Sequence, residues 1–134
     1  MFFSQGIDIV DIRRVEKIFK RHNKRFFKKI LSNNEIFSIN SRNLNKKLII
    51  RKLANKFAVK EATVKALGTG FASGIGFKDI EILNNSDGKP ELKFYGNAKK
   101  LLDKIKKKLI NESFNVSISN EKDYTVAVVT LIFF

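Results

Sequence analysis

A polar turn between two strand-like segments most constrains the fold of this 134-residue chain. Residues 114–119 and 124–133 carry apolar and β-branched side chains at regular spacing, and the four residues 120–123 between them are all polar. Strands joined by so short a connection lie antiparallel. The last part of the chain is therefore predicted to place two neighbouring strands in an antiparallel sheet.

The rest of the sequence alternates between strand and helix patterns. The patterns predict strands at 2–10, 75–83 and 92–95, helices at 12–31, 48–67 and 98–110, and a polar loop at 40–47. A capping box at 32–35 predicts a further short helix. Gly68 to Gly70 are predicted to end the helix at 48–67, and Asn97 is predicted to cap the helix at 98–110. The predicted fold is a single α+β domain over residues 1–134, with an antiparallel sheet and a long central helix.

Composition excludes several classes of function. The chain has no cysteine, which removes disulfides, thiolate nucleophiles and cysteine metal sites. Its single histidine, His22, lies in a basic helix, so a serine-histidine hydrolase is not expected. No phosphate-binding glycine loop is present. There is also no signal-peptide pattern and no apolar run of the ~20 residues that a membrane span requires, so a cytoplasmic protein is expected.

Positive charge is the strongest signal in the composition. Lysine and arginine number 27 against 13 acidic residues, which gives a net charge of +14 and a pI near 10.1. Such a field attracts nucleic acid, an anionic membrane or an acidic protein. Lysine runs at 46–47, 99–100 and 106–108 support a nucleic-acid-binding alternative, although they are also typical of solvated faces and of a lysine-rich proteome. Charge alone leaves the partner open.

Two carboxylates stand within segments that otherwise favour burial. Asp8 lies between Ile7 and Ile9, and Glu61 follows an apolar stretch of the long helix. A buried carboxylate needs a cation or several hydrogen-bond donors. From composition alone, pairing with a nearby lysine or arginine is the more frequent arrangement. The sharper interpretation is a shared Mg²⁺, which typically binds one or two protein carboxylates together with water and substrate phosphates.

Basic residues surround Glu61 along the predicted helix. Lys56 and Lys60 are four residues apart, as are Glu61 and Lys65, so each pair shares a helix face. A solvated face with one ion pair explains this pattern. A metal ligand beside cations that neutralise a pyrophosphate explains it as well, and the glycines that follow could admit a ligand close to the backbone.

Five segments in order resemble the motifs of bacterial holo-acyl-carrier-protein synthases. They are 6–12 with Arg14, 57–62 continuing into 65–70, 77–82, 88–90, and 116–119 before the final turn and strand. The resemblance spans essentially the whole chain. It implies the 4'-phosphopantetheinyl transferase fold, which such enzymes build into homotrimers with active sites between subunits.

The resemblance also implies a reaction and its residues. Such enzymes transfer 4'-phosphopantetheine from coenzyme A to a serine of apo acyl carrier protein, release 3',5'-ADP and support fatty acid biosynthesis. Asp8 and Glu61 would hold Mg²⁺, with Mn²⁺ as the alternative, and Glu61 and Lys65 would be catalytic. The residues expected to bind coenzyme A are Lys56, Lys60, Lys65, Gly68, Thr69, Gly70 and Ser117.

By the same resemblance, an acidic carrier protein would dock on the basic first helix. Its expected contacts are Arg14, Ile18, Arg21, Arg25 and Phe26. This interpretation involves no nucleic acid and no membrane span.

Three residues depart from the family pattern. Asn115 and Asn120 stand where many relatives carry histidine, and Asp11 stands where glutamate is common. Asparagine cannot exchange protons near neutral pH. These departures keep open a second alternative, in which the chain binds carrier protein but does not transfer 4'-phosphopantetheine to it.

Overall fold

The structure is a computed structural model that describes residues 1–22, 24–71 and 74–134. Its elements follow in the order β1 (Phe2–Asp11), α1 (Ile12–His22), α2 (Lys24–Ile30), α3 (Asn33–Asn40), α4 (Lys46–Leu67), a 3₁₀ turn (Phe77–Asp79), β2 (Ile80–Asn84), β3 (Pro90–Phe94), α5 (Gly96–Lys106), β4 (Glu112–Asn120) and β5 (Tyr124–Phe133). In the described part of the chain, every helix is too short or too polar to cross a membrane.

The strands form two antiparallel sheets. In the larger sheet the order is β1-β5-β4, so that Phe2 and Glu112 both lie opposite Phe133. The smaller sheet is the β2–β3 hairpin. The predicted α+β class and the antiparallel pairing of the last two strands are confirmed.

The two faces of the larger sheet have different environments. Its inner face is covered by α4, and the alternate residues Ala127, Val129, Leu131 and Phe133 of β5 are completely buried there. On the other face, Phe3, Ile7 and Ile9 of β1 are 59%, 60% and 63% exposed. We call this the apolar outer face. It consists of Phe3, Ile7 and Ile9 together with the partly buried Val126, Val128 and Ile132 of β5.

Helix α4 has defined ends and a close contact with β1. The Asn45 side chain accepts a hydrogen bond from the Leu48 N–H, which caps the start of the helix two residues before the predicted position. Gly68, at φ 83°, ends the helix in the left-handed region that glycine favours. A β carbon on Gly6 would overlap the carbonyl oxygen of Ala62, so β1 approaches α4 closely only because residue 6 is glycine.

The helix predicted at 12–31 is confirmed as helix over Ile12–His22 and Lys24–Ile30. The Phe19 and Phe27 rings pack edge to face with centroids 5.3 Å apart. This contact packs α1 against α2. Residue 23, between them, lies outside the described residues.

Other boundaries also differ from the prediction. The strand expected at 75–83 is instead a 3₁₀ turn followed by β2. Helix α5 begins at Gly96, and Asn97 does not cap it, because the Asn97 amide donates to the Gly74 carbonyl at 3.0 Å. The capping box at the start of α3 is confirmed, with Ser32 and Glu35 as its two members.

Candidate active site

The structure brings together three of the predicted residues between β1 and α4. Asp8 lies on the inner face of β1, and Glu61 and Lys65 lie one turn apart on α4. The Lys65 ammonium donates to Asp8 Oδ1 at 3.0 Å and to the Ile7 carbonyl oxygen at 2.9 Å. The Asp8 side chain is 15% exposed and that of Lys65 is 53% exposed. The site therefore opens to solvent on its lysine side.

The two carboxylates of this site affect each other. Partial burial raises the pKa of Glu61, and the negative charge of Asp8 raises it further. The positive charges of Lys65 and Arg14 act in the opposite direction. Two carboxylates that raise each other's energy in this way favour a shared cation, because a cation relieves both their desolvation and their repulsion.

The donor set fits Mg²⁺. Among the described residues no group of three or more histidine, cysteine, aspartate or glutamate side chains could hold a metal by itself. Asp8 and Glu61 thus offer two oxygen-donor side chains and leave further coordination positions to water and phosphate. Mg²⁺ is commonly bound in this way, whereas zinc sites usually contain cysteine or histidine.

Lys60 is not available to a ligand, against the sequence prediction. Its side chain is completely buried, and its ammonium donates to Glu35 Oε1 at 2.7 Å and to the carbonyl oxygens of Ile30 and Phe77 at 2.7 and 2.9 Å. Burial lowers the pKa of Lys60, and the charge of Glu35 opposes that shift. All three N–H groups have partners, so Lys60 has a structural role. Sequence reasoning missed it because its partners are distant along the chain.

Lys56 lies at the edge of a separate cavity. Its ammonium donates to the Ile82 carbonyl oxygen at 2.6 Å, and its side chain is 14% exposed. Burial lowers the pKa of Lys56. The cavity measures about 270 Å³, and Arg42, Lys52 and Asn55 also line it. Lys52 precedes Lys56 by about one helical turn, so helix periodicity could have identified it, whereas Arg42 gave no such signal.

The glycine turn after α4 lies at the end of the helix that carries Glu61 and Lys65. Gly68 and Gly70 both have positive φ, 83° and 58°. The Thr69 hydroxyl donates to the Gly70 carbonyl oxygen at 3.0 Å. A β carbon placed on either glycine would have no other atom within 4 Å, so the backbone of this turn is accessible.

Ser117 is not brought to this site within one chain. It lies opposite Val128 and is exposed on the outer side of the larger sheet, whereas Asp8 faces α4 on the inner side. Asn115 lies on the same outer side. Asn120 faces inward, where its amide donates to Asn55 Oδ1 at 2.7 Å and to Thr125 Oγ1 at 2.6 Å.

The predicted carrier-protein contacts form an exposed basic strip. Arg14, Ile18 and Arg21 are spaced four and three residues apart on α1 and therefore share one face. Arg25 is exposed on α2, while Phe26 is partly buried against the core. Because Arg14 lowers the pKa of Glu61, this strip begins beside the carboxylate site.

The sequence model of the 4'-phosphopantetheinyl transferase superfamily matches residues 4–129, and the chain belongs to this family. Within it, the chain is similar to the holo-[acyl-carrier-protein] synthase of Desulfovibrio desulfuricans, with 40% identity over 131 residues and 98% of each chain covered. The enzyme of the same name from Buchnera aphidicola subsp. Baizongia pistaciae is 43% identical over 125 residues, with 92% of each chain covered.

A solved structure in the same group contains coenzyme A. The holo-[acyl-carrier-protein] synthase of Helicobacter pylori in complex with coenzyme A superposes with a TM-score of 0.76 and 31% identity. The match covers 96% of this chain and 99% of the other. The similarity thus extends over nearly the whole chain.

Proposed function

We propose that this chain transfers the 4'-phosphopantetheine moiety of coenzyme A to a serine of apo acyl carrier protein and releases 3',5'-ADP, in support of fatty acid biosynthesis. The observation that carries the proposal is the convergence of Asp8, Glu61 and Lys65 between β1 and α4. Similarity to holo-[acyl-carrier-protein] synthases over nearly the full chain supports the choice of donor and acceptor.

The reaction is a phosphoryl-type displacement. The serine hydroxyl oxygen of the carrier protein attacks the phosphorus that bears the pantetheine group, and the bond from that phosphorus to the bridging pyrophosphate oxygen breaks. The bridging oxygen leaves with 3',5'-ADP. Glu61 accepts the serine proton. Lys65 stabilises the negative charge of the pyrophosphate.

Asp8 and Glu61 are the residues that would hold Mg²⁺, with Mn²⁺ as the alternative. The metal would neutralise charge at the pyrophosphate and help to orient it. The glycine turn at Gly68 to Gly70 gives backbone access for coenzyme A, and Lys56 contributes positive charge at the rim of its neighbouring cavity. Lys60 takes no part in binding.

The basic strip of α1 and α2 is the docking surface for an acidic carrier protein. Arg14, Arg21 and Arg25 are exposed and supply charge, and Ile18 supplies an apolar contact. Complementary charge accelerates encounter and selects orientation. Because the strip begins near Glu61, a carrier docked on it would present its serine close to the carboxylate site.

We also propose a homotrimer with active sites between subunits. The apolar outer face leaves Phe3, Ile7 and Ile9 more than half exposed in a single chain. A contiguous apolar patch of this kind is typical of an interface. Ser117 lies on the same side of the sheet, so a partner seated there would lie close to Ser117 and complete a site that one chain lacks.

Intact-mass spectrometry of apo acyl carrier protein tests the proposed reaction. Incubation with this protein, coenzyme A and Mg²⁺ is expected to add one phosphopantetheine to the carrier. The gain should disappear with chelator and with Asp8→Ala or Glu61→Ala. The matched control is Asp103→Ala, which removes an exposed carboxylate on α5 and should leave the mass gain intact.

The nucleic-acid alternative predicts a different outcome. A basic binder would show salt-sensitive affinity for DNA or RNA and no carrier modification. It would also not explain why the Asp8 and Glu61 carboxylates lie close together. No mass gain with several carrier proteins, together with tight nucleic-acid binding, would reject the transferase proposal.

A further inference from the structure

The Lys60 ammonium joins three elements to α4 at one point. Its acceptors are the Ile30 carbonyl at the end of α2, Glu35 in the first turn of α3, and the Phe77 carbonyl in the 3₁₀ turn. These bonds are 2.7, 2.7 and 2.9 Å long, and they use every N–H of the ammonium. Lysine is rarely buried completely, so this arrangement is an unusual feature of the core.

Glu35 extends the connection to a fourth element. Its Oε1 also accepts the Ser32 N–H at 2.9 Å, and its Oε2 accepts the Ile82 N–H of β2 at 3.1 Å. The described side chains contain no buried polar atom without a partner. The network is therefore completely satisfied, a condition under which buried polar groups hold their neighbours in one geometry.

The Lys60 network constrains the rotation of α4 about its own axis. Lys60 immediately precedes Glu61, and neighbouring helix residues project about 100° apart. A side-chain group lies about 5–6 Å from the axis, so a rotation of about 10° would move the Glu61 carboxylate by about 1 Å. On the opposite side of the helix, Gly6 fixes the distance between α4 and β1.

We propose that Lys60 is a positioning residue for the transfer reaction, which holds Glu61 at its place beside Asp8 by fixing the rotation of α4. This inference rests on the proposed function of the carboxylate site. It assigns to Lys60 no contact with coenzyme A or with the carrier protein. Positional errors of about 1 Å at a reacting centre can reduce rates by about 100-fold, so loss of this constraint should lower turnover.

The test removes both buried charges together. Lys60→Met alone would leave Glu35 ionised and unpaired in the core, which strongly destabilises proteins. The double variant Lys60→Met/Glu35→Gln removes both charges with little change in volume. Leu102→Ala is the matched control, because it opens the core beneath α5, which contributes no residue to the site. Melting temperatures identify a working temperature at which all proteins are folded.

Three quantities are then measured with carrier protein: kcat, the KM for coenzyme A, and the Mg²⁺ concentration that gives half of the maximal rate. The double variant is expected to lose about 10- to 100-fold in kcat and to need at least about tenfold more Mg²⁺. Its KM for coenzyme A should stay within about threefold of wild type, and the same three values should be nearly unchanged in Leu102→Ala.

A folded double variant whose kcat and Mg²⁺ requirement match those of Leu102→Ala would overturn the proposal. If the double variant does not fold, Lys60→Arg replaces it, because arginine keeps the charge pair with Glu35 but cannot place its donors where the Lys60 ammonium places them. That variant should show a smaller change in the same direction, and unchanged values would again overturn the proposal. An inactive wild-type protein would reject the proposed function itself, so the two failures are distinguishable.

Discussion

Gly6 allows the backbones of β1 and α4 to pack directly against each other. A β carbon at this position would overlap the Ala62 carbonyl oxygen and lie 2.7 Å from the Ala66 amide nitrogen. Asp8 follows two residues later on the same strand face, and Glu61 precedes Ala62 on the helix. The separation of the two carboxylates therefore depends on residue 6 having no side chain.

Gly6→Ala should impair both stability and turnover. Helix and strand must move apart to admit the methyl group, so we expect the free energy of unfolding to fall by about 1–3 kcal/mol. Catalysis should fall further than stability predicts, since Asp8 moves away from Glu61 and Lys65. Denaturant titration measures the change in the free energy of unfolding, and kcat measures the change in turnover. The control is Gly76→Ala, where a β carbon meets only Asp79 at 3.9 Å. Wild-type kcat in Gly6→Ala would contradict the expectation.

Asp11 allows a prediction about pH. The Arg13 side chain bonds both Asp11 oxygens at 2.9 Å, and this interaction lowers the pKa of Asp11 below its ordinary value of 3.8. A carboxyl group whose pKa is lower in the folded state stabilises the fold above its unfolded pKa. That contribution is lost as the pH falls through the folded-state pKa.

The melting temperature of Asp11→Asn should therefore lie below that of wild type at about pH 6, and the difference should shrink towards zero at about pH 2. The effect should be small, because the pair is exposed and screened by solvent. Asp87→Asn serves as the control, since Asp87 is exposed and makes no ion pair among the described residues. A difference that does not change with pH would contradict the assignment.

Sequence reasoning finds residues that are unusual within their own segment, and it fails for those whose role depends on a particular distant partner. Asp8 and Glu61 stand out because a carboxylate in an apolar segment needs a partner wherever it lies. Lys60 looked like a solvated or ligand-binding lysine, because the helix pattern contains no sign of Glu35, 25 residues away. Only the tertiary structure places these two charges together in the core.

At the scale of elements, local signals predicted a helix cap correctly only where the hydrogen bonds of the cap are themselves local. The capping box of α3 was readable, because both of its hydrogen bonds join residues three apart. The role of Asn97 was not readable, because its amide donates to the Gly74 carbonyl oxygen, 23 residues away, and does not cap its own helix.

Ser32→Ala tests how strongly the α3 cap contributes. The Ser32 hydroxyl accepts the Glu35 N–H at 3.2 Å and donates to Glu81 Oε2 at 2.7 Å. Removing it should lower the free energy of unfolding by about 1–2 kcal/mol, measured by denaturant titration. Ser41→Ala, at the exposed other end of α3, should change it by less than about 0.5 kcal/mol. Equal losses in the two variants would show that the Ser32 cap stabilises the protein no more than the Ser41 hydroxyl does.

At the scale of the whole molecule, the apolar outer face predicts self-association. Ile7 lies opposite Val128 near the middle of that face and is 60% exposed. Ile7→Glu should place a charge in the interface and convert the assembly to monomers, as measured by light scattering over a range of concentrations. Phe37→Glu is the control, because Phe37 is 74% exposed but lies on α3. A monomeric wild-type protein would reject the trimer.

The net charge is +14, and if the carrier protein docks on α1, the positive charges on that helix should matter more than those elsewhere. Arg21→Glu should lower kcat/KM for the carrier protein by about tenfold at low salt, through slower association, while KM for coenzyme A stays unchanged. The loss should shrink at about 0.5 M salt, because screening weakens exposed charges. Lys104→Glu makes the same change in net charge on α5. Equal losses in the two variants would mean that total charge, and not a docking surface on α1, governs recognition of the carrier.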